Sequence, residues 1–264
     1  MNHGNKLNII WQNSFSQPLL ANNRAHVWRA NLDLPTTEIE RLAAVLSVDE
    51  IARANKFHLI EHRRRFIAAR AILRQLLGNY LRISPERIEF EYGNCGKPQL
   101  AASMGDNSLQ FNVSHSQEYA LYGFTNHHLI GVDLEYLREM ENITELAKRF
   151  FAHREFQLIA DFTGREQLAA FYQLWTAKEA YLKAMQRGLG GFPAEPKAQV
   201  APSDASTLRV VQRLHQEAIG TGLSGSLTDI ELSLDDRNSI LLAIRGNIVT
   251  VNNWSMYHFV PAAN

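Results

Sequence analysis

Segments in which apolar residues recur at helical spacing are interleaved with shorter segments in which apolar and polar residues alternate. Alternation with a period of two is typical of half-buried strands, whereas apolar residues three and four positions apart are typical of helices. The predicted strands are residues 26–32, 87–92, 119–125 and 129–137, with antiparallel strands and hairpins over 226–257. The predicted helices are residues 36–47, residues 48–81 as one helix or two, and several in 143–183. Within 48–81 the residues expected to face inward are Phe57, Phe66, Ile67, Leu73 and Leu77. This mixture predicts the α+β class.

The predicted helix 171–183 places an acid and a base beside large aromatic side chains. Residues four apart lie on the same side of a helix, so Trp175, Glu179 and Lys183 form one line. Burying charged groups next to aromatic rings is costly unless another group pairs with them. The segment therefore indicates a ligand site, a metal site or a structural ion pair.

A pair of acids lies in the predicted strand 130–135. Alternate strand residues share a face, so Asp133 and Glu135 point the same way, beside space left by Gly131. Neighbouring carboxylates repel unless a cation joins them, and Mg²⁺ takes carboxylate oxygens together with substrate phosphates. Glu179 would complete a set of three acids. The alternative is a solvated pair on a strand edge, because D-x-E is a common spacing.

Two further segments carry groups that could bind phosphate. Ser114 supplies a neutral donor and protonated His115 a charged one. A serine nucleophile with a histidine base is disfavoured, because adjacent strand residues face opposite sides. A capping serine and a core histidine remain the alternative. Lys97 lies in a G-K-P turn and could reach a nucleotide, although the residue spacing of a Walker phosphate-binding loop is absent.

Composition narrows the class of protein. The 264 residues include 27 Lys plus Arg and 27 Asp plus Glu, and this zero net charge argues against a nucleic-acid binder. The one cysteine excludes an intramolecular disulfide and a cysteine zinc cluster. Neither a signal-peptide pattern nor an apolar run of about 20 residues is present, which predicts a cytoplasmic protein without a membrane segment.

Taken together, the motifs resemble those of the 4′-phosphopantetheinyl transferases of the surfactin-synthetase-activating type, with a layout similar to cyanobacterial members. The motifs that carry the resemblance are GKP at 96–98, FNVSHS at 111–116, IGVDLE at 130–135, RFFAHRE at 149–155 and WTAKEAYLK at 175–183. A G-[IV]-D strand followed about forty residues later by [FW]-x-x-K-E-[AS]-x-x-K is the hallmark of that family. The resemblance covers residues 49–192.

The resemblance implies a pseudo-dimeric fold of two similar α/β subdomains. Residues 1–128 would form the coenzyme A side, and residues 129–264 would carry the metal and catalytic motifs. Because the chain is long enough to hold both halves of the site, the resemblance also implies a monomer.

The implied activity is transfer of the 4′-phosphopantetheine group of coenzyme A to a serine of an acyl- or peptidyl-carrier protein, with Mg²⁺ as cofactor. Asp133, Glu135 and Glu179 match the metal-binding acids of the family, and Glu179 also matches the proposed general base. The catalytic set is Glu179, Lys183 and Asp133, and Glu155 matches an acid linked to the active site. The residues that match coenzyme A contacts are Arg53, Arg70, Lys97, Pro98, Ser114, His115, Lys178 and Lys183.

Two other functions remain open on the residues alone. The same three acids would suit a metal-dependent phosphohydrolase acting on a nucleotide, which would need no protein acceptor. A non-catalytic binder of coenzyme A or of a carrier protein would not need those acids.

Overall fold

The computed structural model describes residues 12–14, 19–21, 25–93, 96–105, 108–127, 129–136, 138–184, 232–235, 238–245 and 254–259. These residues divide into two compact units, with the boundary between Ile130 and Gly131. The first unit holds the described residues up to Ile130 together with the strand 254–259. The second unit holds those from Gly131 to residue 245. The division of the chain at 128/129 stays a prediction.

The first unit contains three helices and seven complete strands. The helices are α1 (Thr36–Ala43), α2 (Val48–Ala54) and α3 (Ile60–Leu81). The strands are β1 (Gln12–Ser14), β2 (Ala25–Asn31), β3 (Phe90–Tyr92), β4 (Pro98–Leu100), β5 (Leu109–Ser116), β6 (Tyr119–Asn126) and, from the end of the chain, β10 (Trp254–Phe259). The predicted strand 87–92 is shorter than expected, because residues 85–87 form a 3₁₀ turn that begins with proline.

A five-stranded sheet in the order β1-β10-β2-β6-β5 forms the first unit's main layer. Strand β6 pairs antiparallel with both β2 and β5, and only β5 and β6 are consecutive along the chain. Strand β10 pairs parallel with both β1 and β2, so the prediction that the C-terminal strands are all antiparallel is wrong for β10. Pairing between strands so distant in sequence leaves no local signal, since parallel neighbours need a long connection.

Helix α3 contributes most of the helical share of this unit's core. Of the residues expected to face inward, Ile67, Leu73 and Leu77 are buried and Phe66 is partly buried. The expectation for Phe57 is wrong: it is 38% exposed, because it lies between α2 and α3. The break that separates the two helices therefore confirms the two-helix reading of residues 48–81.

The second unit contains three helices and a three-stranded sheet. The helices are α4 (Ile143–Phe150), α5 (His153–Ala160) and α6 (Gly164–Ala184), and the strands are β7 (Leu129–Tyr136), which begins at the boundary, β8 (Leu232–Asp235) and β9 (Asn238–Arg245). The sheet order is β7-β9-β8, and α6 packs on β9. Helices and strands in both units confirm the α+β class. None of the described helices combines the length and the apolar character that crossing a membrane requires.

Candidate functional site

Strand β7 and helix α6 approach each other at Gly131. A Cβ atom built on Gly131 would lie 1.9 Å from the backbone oxygen of Ala180 and 2.6 Å from the backbone nitrogen of Ala184. Contacts this short do not occur between real atoms, so only glycine fits at this position. The glycine therefore permits the close approach that puts the acids of β7 next to α6.

Successive residues of β7 have partners at earlier positions of α6. Gly131 lies against the backbone of Ala180 and Ala184, Asp133 pairs with Lys183, and Glu135 accepts from Trp175. Both acids of β7 therefore have a partner on α6.

Asp133 is buried and forms an ion pair with the helix. The residue is 3% exposed, and its Oδ1 lies 2.5 Å from Nζ of Lys183. The Lys183 side chain is 29% exposed, so its charge remains partly in contact with water. A buried carboxylate needs such a cation, because an isolated charge in a low-dielectric interior is strongly disfavoured.

Glu135 accepts a hydrogen bond from an indole. Nε1 of Trp175 donates to Oε1 of Glu135 at 3.2 Å. Burial raises the pKa of Glu135, the negative charge of Asp133 raises it further, and the Trp175 hydrogen bond opposes the rise. The sequence analysis placed Trp175 in line with Glu179 and Lys183 but missed this hydrogen bond, since helical spacing does not reveal a partner on another element.

Glu179 lies on the same face of α6, one turn after Trp175. Its Oε1 is buried and accepts no hydrogen bond from any described residue. Burial raises the pKa of Glu179, Asp133 raises it further, and Lys183 opposes the rise. A buried carboxylate oxygen without a donor, next to another carboxylate, is the arrangement that a cation would stabilise.

Asp133, Glu135 and Glu179 are electrostatically coupled, but they do not by themselves form a complete metal site. Among the residues that the structure describes, no three His, Cys, Asp or Glu side chains converge closely enough to hold a metal ion by themselves. Mg²⁺ commonly uses one or two carboxylates and completes its octahedron with water and substrate phosphate. The donor chemistry and the buried Glu179 Oε1 therefore fit Mg²⁺ that binds together with a phosphate ligand.

Glu155 and Lys178 are paired with each other. Nζ of Lys178 lies 2.5 Å from Oε2 of Glu155 and 4.9 Å above the ring of Phe151. The same Glu155 oxygen accepts from the backbone N–H of Ala152 at 2.8 Å, which stabilises the start of α5. These contacts tie α5 to α6, while the expected part of Lys178 in coenzyme binding stays a prediction.

The residues that match coenzyme A contacts in FNVSHS and GKP lie on strands of the first unit. Ser114 is buried and His115 is exposed on β5, on opposite faces as their adjacency predicts. Lys97 and Pro98 lie where the β3–β4 hairpin enters β4, and Gly96 before them has a φ of 72°, which favours glycine. Opposite faces disfavour a Ser114–His115 nucleophile pair.

Arg70 lies inside a buried charge network. Oε2 of Glu50 accepts from Nε of Arg74 at 2.6 Å, and Oε1 of Glu50 lies 3.4 Å from Nε of Arg70. Arg74 also donates to the backbone oxygens of Pro85 and Ile88. Sequence reasoning missed Glu50 and Arg74 as partners.

The sequence did contain a signal for Glu50. The segment Ser47 to Glu50 reads S-x-x-E, and Glu50 accepts from the backbone N–H of Ser47 at 3.0 Å. Arg53, in contrast with Arg70, is exposed, and its guanidinium lies 5.6 Å from the centre of the Phe66 ring. A coenzyme contact from either arginine stays a prediction.

Comparison with known families gives two matches that together span most of the chain. Residues 129–219 match the 4′-phosphopantetheinyl transferase superfamily, and this range contains Asp133, Glu135 and Glu179. Residues 33–124 match a second family, described as the N-terminal part of 4′-phosphopantetheinyl transferase.

Individual relatives agree with the family matches. The 4′-phosphopantetheinyl transferase HetI of Nostoc sp. is 44% identical over 193 residues, which cover 70% of this chain and 81% of HetI. A putative 4′-phosphopantetheinyl transferase of Synechocystis sp. is 39% identical over 62% of this chain and 66% of its own length. The 4′-phosphopantetheinyl transferase Sfp of Bacillus subtilis is 28% identical over 59% of this chain and 67% of Sfp.

Proposed function

Because this chain belongs to the 4′-phosphopantetheinyl transferase family, we propose that the β7–α6 site is the centre at which it transfers phosphopantetheine. The enzyme moves the 4′-phosphopantetheine group of coenzyme A to a carrier protein. The observation that carries the assignment of the site is the cluster of Asp133, Glu135, Glu179 and Lys183 around the close approach at Gly131.

Asp133, Glu135 and Glu179 would hold Mg²⁺. Their carboxylate oxygens are the hard ligands that the ion prefers, and the pyrophosphate of coenzyme A would supply the remaining anionic oxygens. When bound, the ion would neutralise negative charge that develops on the phosphoryl oxygens. The raised pKa values of Glu135 and Glu179 support this, because burial and the nearby charge of Asp133 both disfavour the ionised carboxylates that a cation would stabilise.

Glu179 would act as the general base. The serine Oγ of the carrier protein forms a bond to the β-phosphorus of coenzyme A, and its proton passes to Glu179 directly or through one water molecule. The bond between the β-phosphorus and the bridging oxygen breaks, and 3′,5′-ADP leaves with that oxygen.

Lys183 would contact the pyrophosphate. Its partly exposed ammonium lies beside buried Asp133, so it would offer N–H donors to a phosphate oxygen when Mg²⁺ competes for that carboxylate. A positive charge fixed there would stabilise the departing 3′,5′-ADP. In the other unit Arg53, Arg70, Lys97, Pro98, Ser114 and His115 are our proposed coenzyme contacts, together with Lys178 of α6.

Mass spectrometry of an apo carrier protein tests the function directly. Incubation with the enzyme, coenzyme A and Mg²⁺ should add the mass of phosphopantetheine to the carrier and release 3′,5′-ADP. The matched variant Asp133→Asn should slow this reaction strongly. If several apo acyl- and peptidyl-carrier proteins remained unmodified, the proposed activity would be wrong.

A nucleotide phosphohydrolase is disfavoured by the family comparisons. It would release inorganic phosphate from coenzyme A or a nucleotide without a protein acceptor. Phosphate release assayed in the mass-spectrometry samples, with and without carrier protein, separates the two reactions.

The finer organisation that we propose is a pseudo-dimer within one chain, with similar α/β subdomains over residues 1–128 and 129–264. Support comes from the helices and the sheet that each unit contains, with a unit boundary at Ile130–Gly131 close to the proposed division. Strand β10 is the exception, because it belongs to the sheet of the first unit. The enzyme would act as a cytoplasmic monomer. Size-exclusion chromatography with light scattering checks the monomer.

Magnesium affinity should fall as the pH is lowered from neutral towards the ordinary glutamate pKa of about 4.3. Mg²⁺ binds the ionised carboxylates, whereas the raised pKa values of Glu135 and Glu179 favour the protonated forms at a higher pH than usual. Protons therefore compete with the metal ion, and binding releases protons. Calorimetric titration of Mg²⁺ at several pH values measures the change in affinity, and buffers of different ionisation enthalpy at one pH measure the protons released. An affinity that did not change with pH would contradict the proposed ligands.

Lys183→Met should destabilise the metal-free enzyme by about 2 kcal/mol. Breaking a buried ion pair costs about 3–5 kcal/mol, and the partial exposure of Lys183 lets water replace some of that loss. Mg²⁺ should restore more stability in the variant than in the wild type, because Lys183 no longer competes for Asp133. Urea unfolding with and without Mg²⁺ measures this.

Arg65→Met is the matched control, since it breaks the Arg65–Asp33 ion pair in the other unit. This variant should lose stability without any change in the response to Mg²⁺. Equal stabilisation of the wild type and Lys183→Met by Mg²⁺ would show that Lys183 and the ion do not share Asp133.

A further inference from the structure

The indole of Trp175 is held on several sides by other aromatic rings. It stacks on Phe171 with ring centres 5.8 Å apart and an interplanar angle of 17°. Phe150 meets it edge to face at 5.4 Å, and Phe151 does so at 6.4 Å. Stacked and edge-to-face contacts of this kind restrict a ring to one orientation. The position of the indole N–H is therefore set by the packing of α4 and α6.

That fixed N–H donates to Oε1 of Glu135 at 3.2 Å. An indole N–H is a donor only and carries no charge. The hydrogen bond therefore restrains the Glu135 carboxylate while leaving its negative charge in place and the lone pairs of Oε2 available. A cationic donor, such as Lys183 on Asp133, would instead compensate the charge.

The contact also bridges the two elements that build the site. Trp175 lies one turn before Glu179 on α6, and Glu135 lies two residues after Asp133 on β7. A glutamate side chain has three rotatable bonds, so its carboxylate would otherwise sample many positions at this point of the strand. A restraint from a rigid aromatic cluster removes much of that freedom before any ligand arrives.

We propose that Trp175 is a positioning residue for metal binding, which acts through its indole N–H on Glu135. This inference rests on the proposed role of Glu135 as a magnesium ligand. Partners that orient metal ligands typically change metal affinity by about 10–100-fold when they are removed. The removal of this hydrogen bond should therefore lower the affinity for Mg²⁺ and not the affinity for coenzyme A.

Calorimetric titration of Mg²⁺ into the enzyme with coenzyme A present and carrier protein absent measures this without turnover. Trp175→Phe keeps a ring in the aromatic cluster and removes the N–H, so the Kd for Mg²⁺ should rise about 10-fold. The affinity for coenzyme A at saturating Mg²⁺ should stay within about twofold of the wild type. Replacement of Trp175 by benzothienylalanine removes the N–H and almost preserves the shape of the side chain. It serves as the test variant if Trp175→Phe folds poorly.

Trp28→Phe is the matched control in the other unit. Nε1 of Trp28 donates to the hydroxyl of Tyr80 at 2.8 Å, so this variant loses the same kind of hydrogen bond far along the chain from the acids. Its stability should fall while its Kd for Mg²⁺ stays at the wild-type value. The same loss of Mg²⁺ affinity in Trp28→Phe would assign the effect to general destabilisation and overturn the proposal.

A double-mutant cycle isolates the pair. On a Glu135→Gln background, Trp175→Phe should cause no further loss of Mg²⁺ affinity, because the anionic ligand that the indole positions has already been removed. Equal losses on both backgrounds, or an unchanged Kd in Trp175→Phe alone, would overturn the positioning role and leave the proposed function intact. The wild type could transfer phosphopantetheine while Glu135→Gln left the Kd for Mg²⁺ unchanged. That result would exclude Glu135 as a magnesium ligand and overturn this inference with it.

Discussion

Glu179→Gln is expected to lower kcat/KM for carrier-protein modification by about 10³-fold or more, since general base catalysis alone contributes about 10²–10⁴-fold. The amide cannot accept the serine proton, and it removes one anionic oxygen from the proposed magnesium site. Initial rates of holo carrier formation at saturating coenzyme A measure this loss.

The same variant should not be less stable than the wild type. Glu179 is held beside Asp133 with its pKa raised, and its Oε1 accepts no hydrogen bond from the described residues, so a neutral side chain relieves an unfavourable charge. Activity and stability would then change in opposite directions, as is typical of groups retained for function. Thermal unfolding without Mg²⁺ checks this.

Glu166→Gln, at an exposed position in the first turn of the same helix, is the matched control and should keep wild-type rates. If Glu179→Gln kept more than about a tenth of wild-type activity, Glu179 would not be the general base.

Gly131→Ala is expected to destabilise the enzyme by about 3 kcal/mol and to lower transfer by at least about 100-fold. The added Cβ would lie 1.9 Å from the backbone oxygen of Ala180, so β7 and α6 must move apart. Because the obstacle is backbone, no side-chain rotation relieves the contact. A displacement of about 1 Å between the acids of β7 and those of α6 would misalign the reacting groups.

Gly93→Ala provides the control for the glycine substitution itself. Its added Cβ would meet nothing closer than Nε2 of Gln99 at 3.5 Å, an ordinary contact, so the melting temperature should change little. Urea unfolding of both variants, with transfer rates of Gly131→Ala measured below its unfolding transition, separates lost activity from lost structure. A Gly131→Ala variant as stable as the wild type would mean that the helix is not pressed against this strand.

Much of the candidate site follows from local rules. Alternation along 130–135 places Asp133 and Glu135 on one face of the strand. Helical spacing places Trp175, Glu179 and Lys183 on one side of the helix. The ordered motifs then indicate the family, which the relatives confirm. These inferences succeed because strand and helix periods are fixed by backbone geometry and do not depend on distant contacts.

Other parts of the molecule could not be read from local patterns. The parallel pairing of β10 with β2 joins segments more than 200 residues apart, and the register is decided by the assembled sheet. The Glu50–Arg74 ion pair depends on how α2 packs against α3. Phe57 is a large apolar residue of the kind that usually lies in the core. It is nevertheless partly exposed, because it lies in the break between those helices.

The sequence by itself determined which chemical groups are present, the faces of β7 and α6 on which they lie, and the family to which the chain belongs. Only the tertiary structure decided that Lys183 pairs with Asp133, that Trp175 donates to Glu135, and that Glu179 keeps a buried oxygen without a donor. The physical reason is that a period fixes the direction of a side chain along its own element. Its partner depends on the distance and register between elements, and here the missing Cβ of Gly131 permits the close approach of β7 and α6.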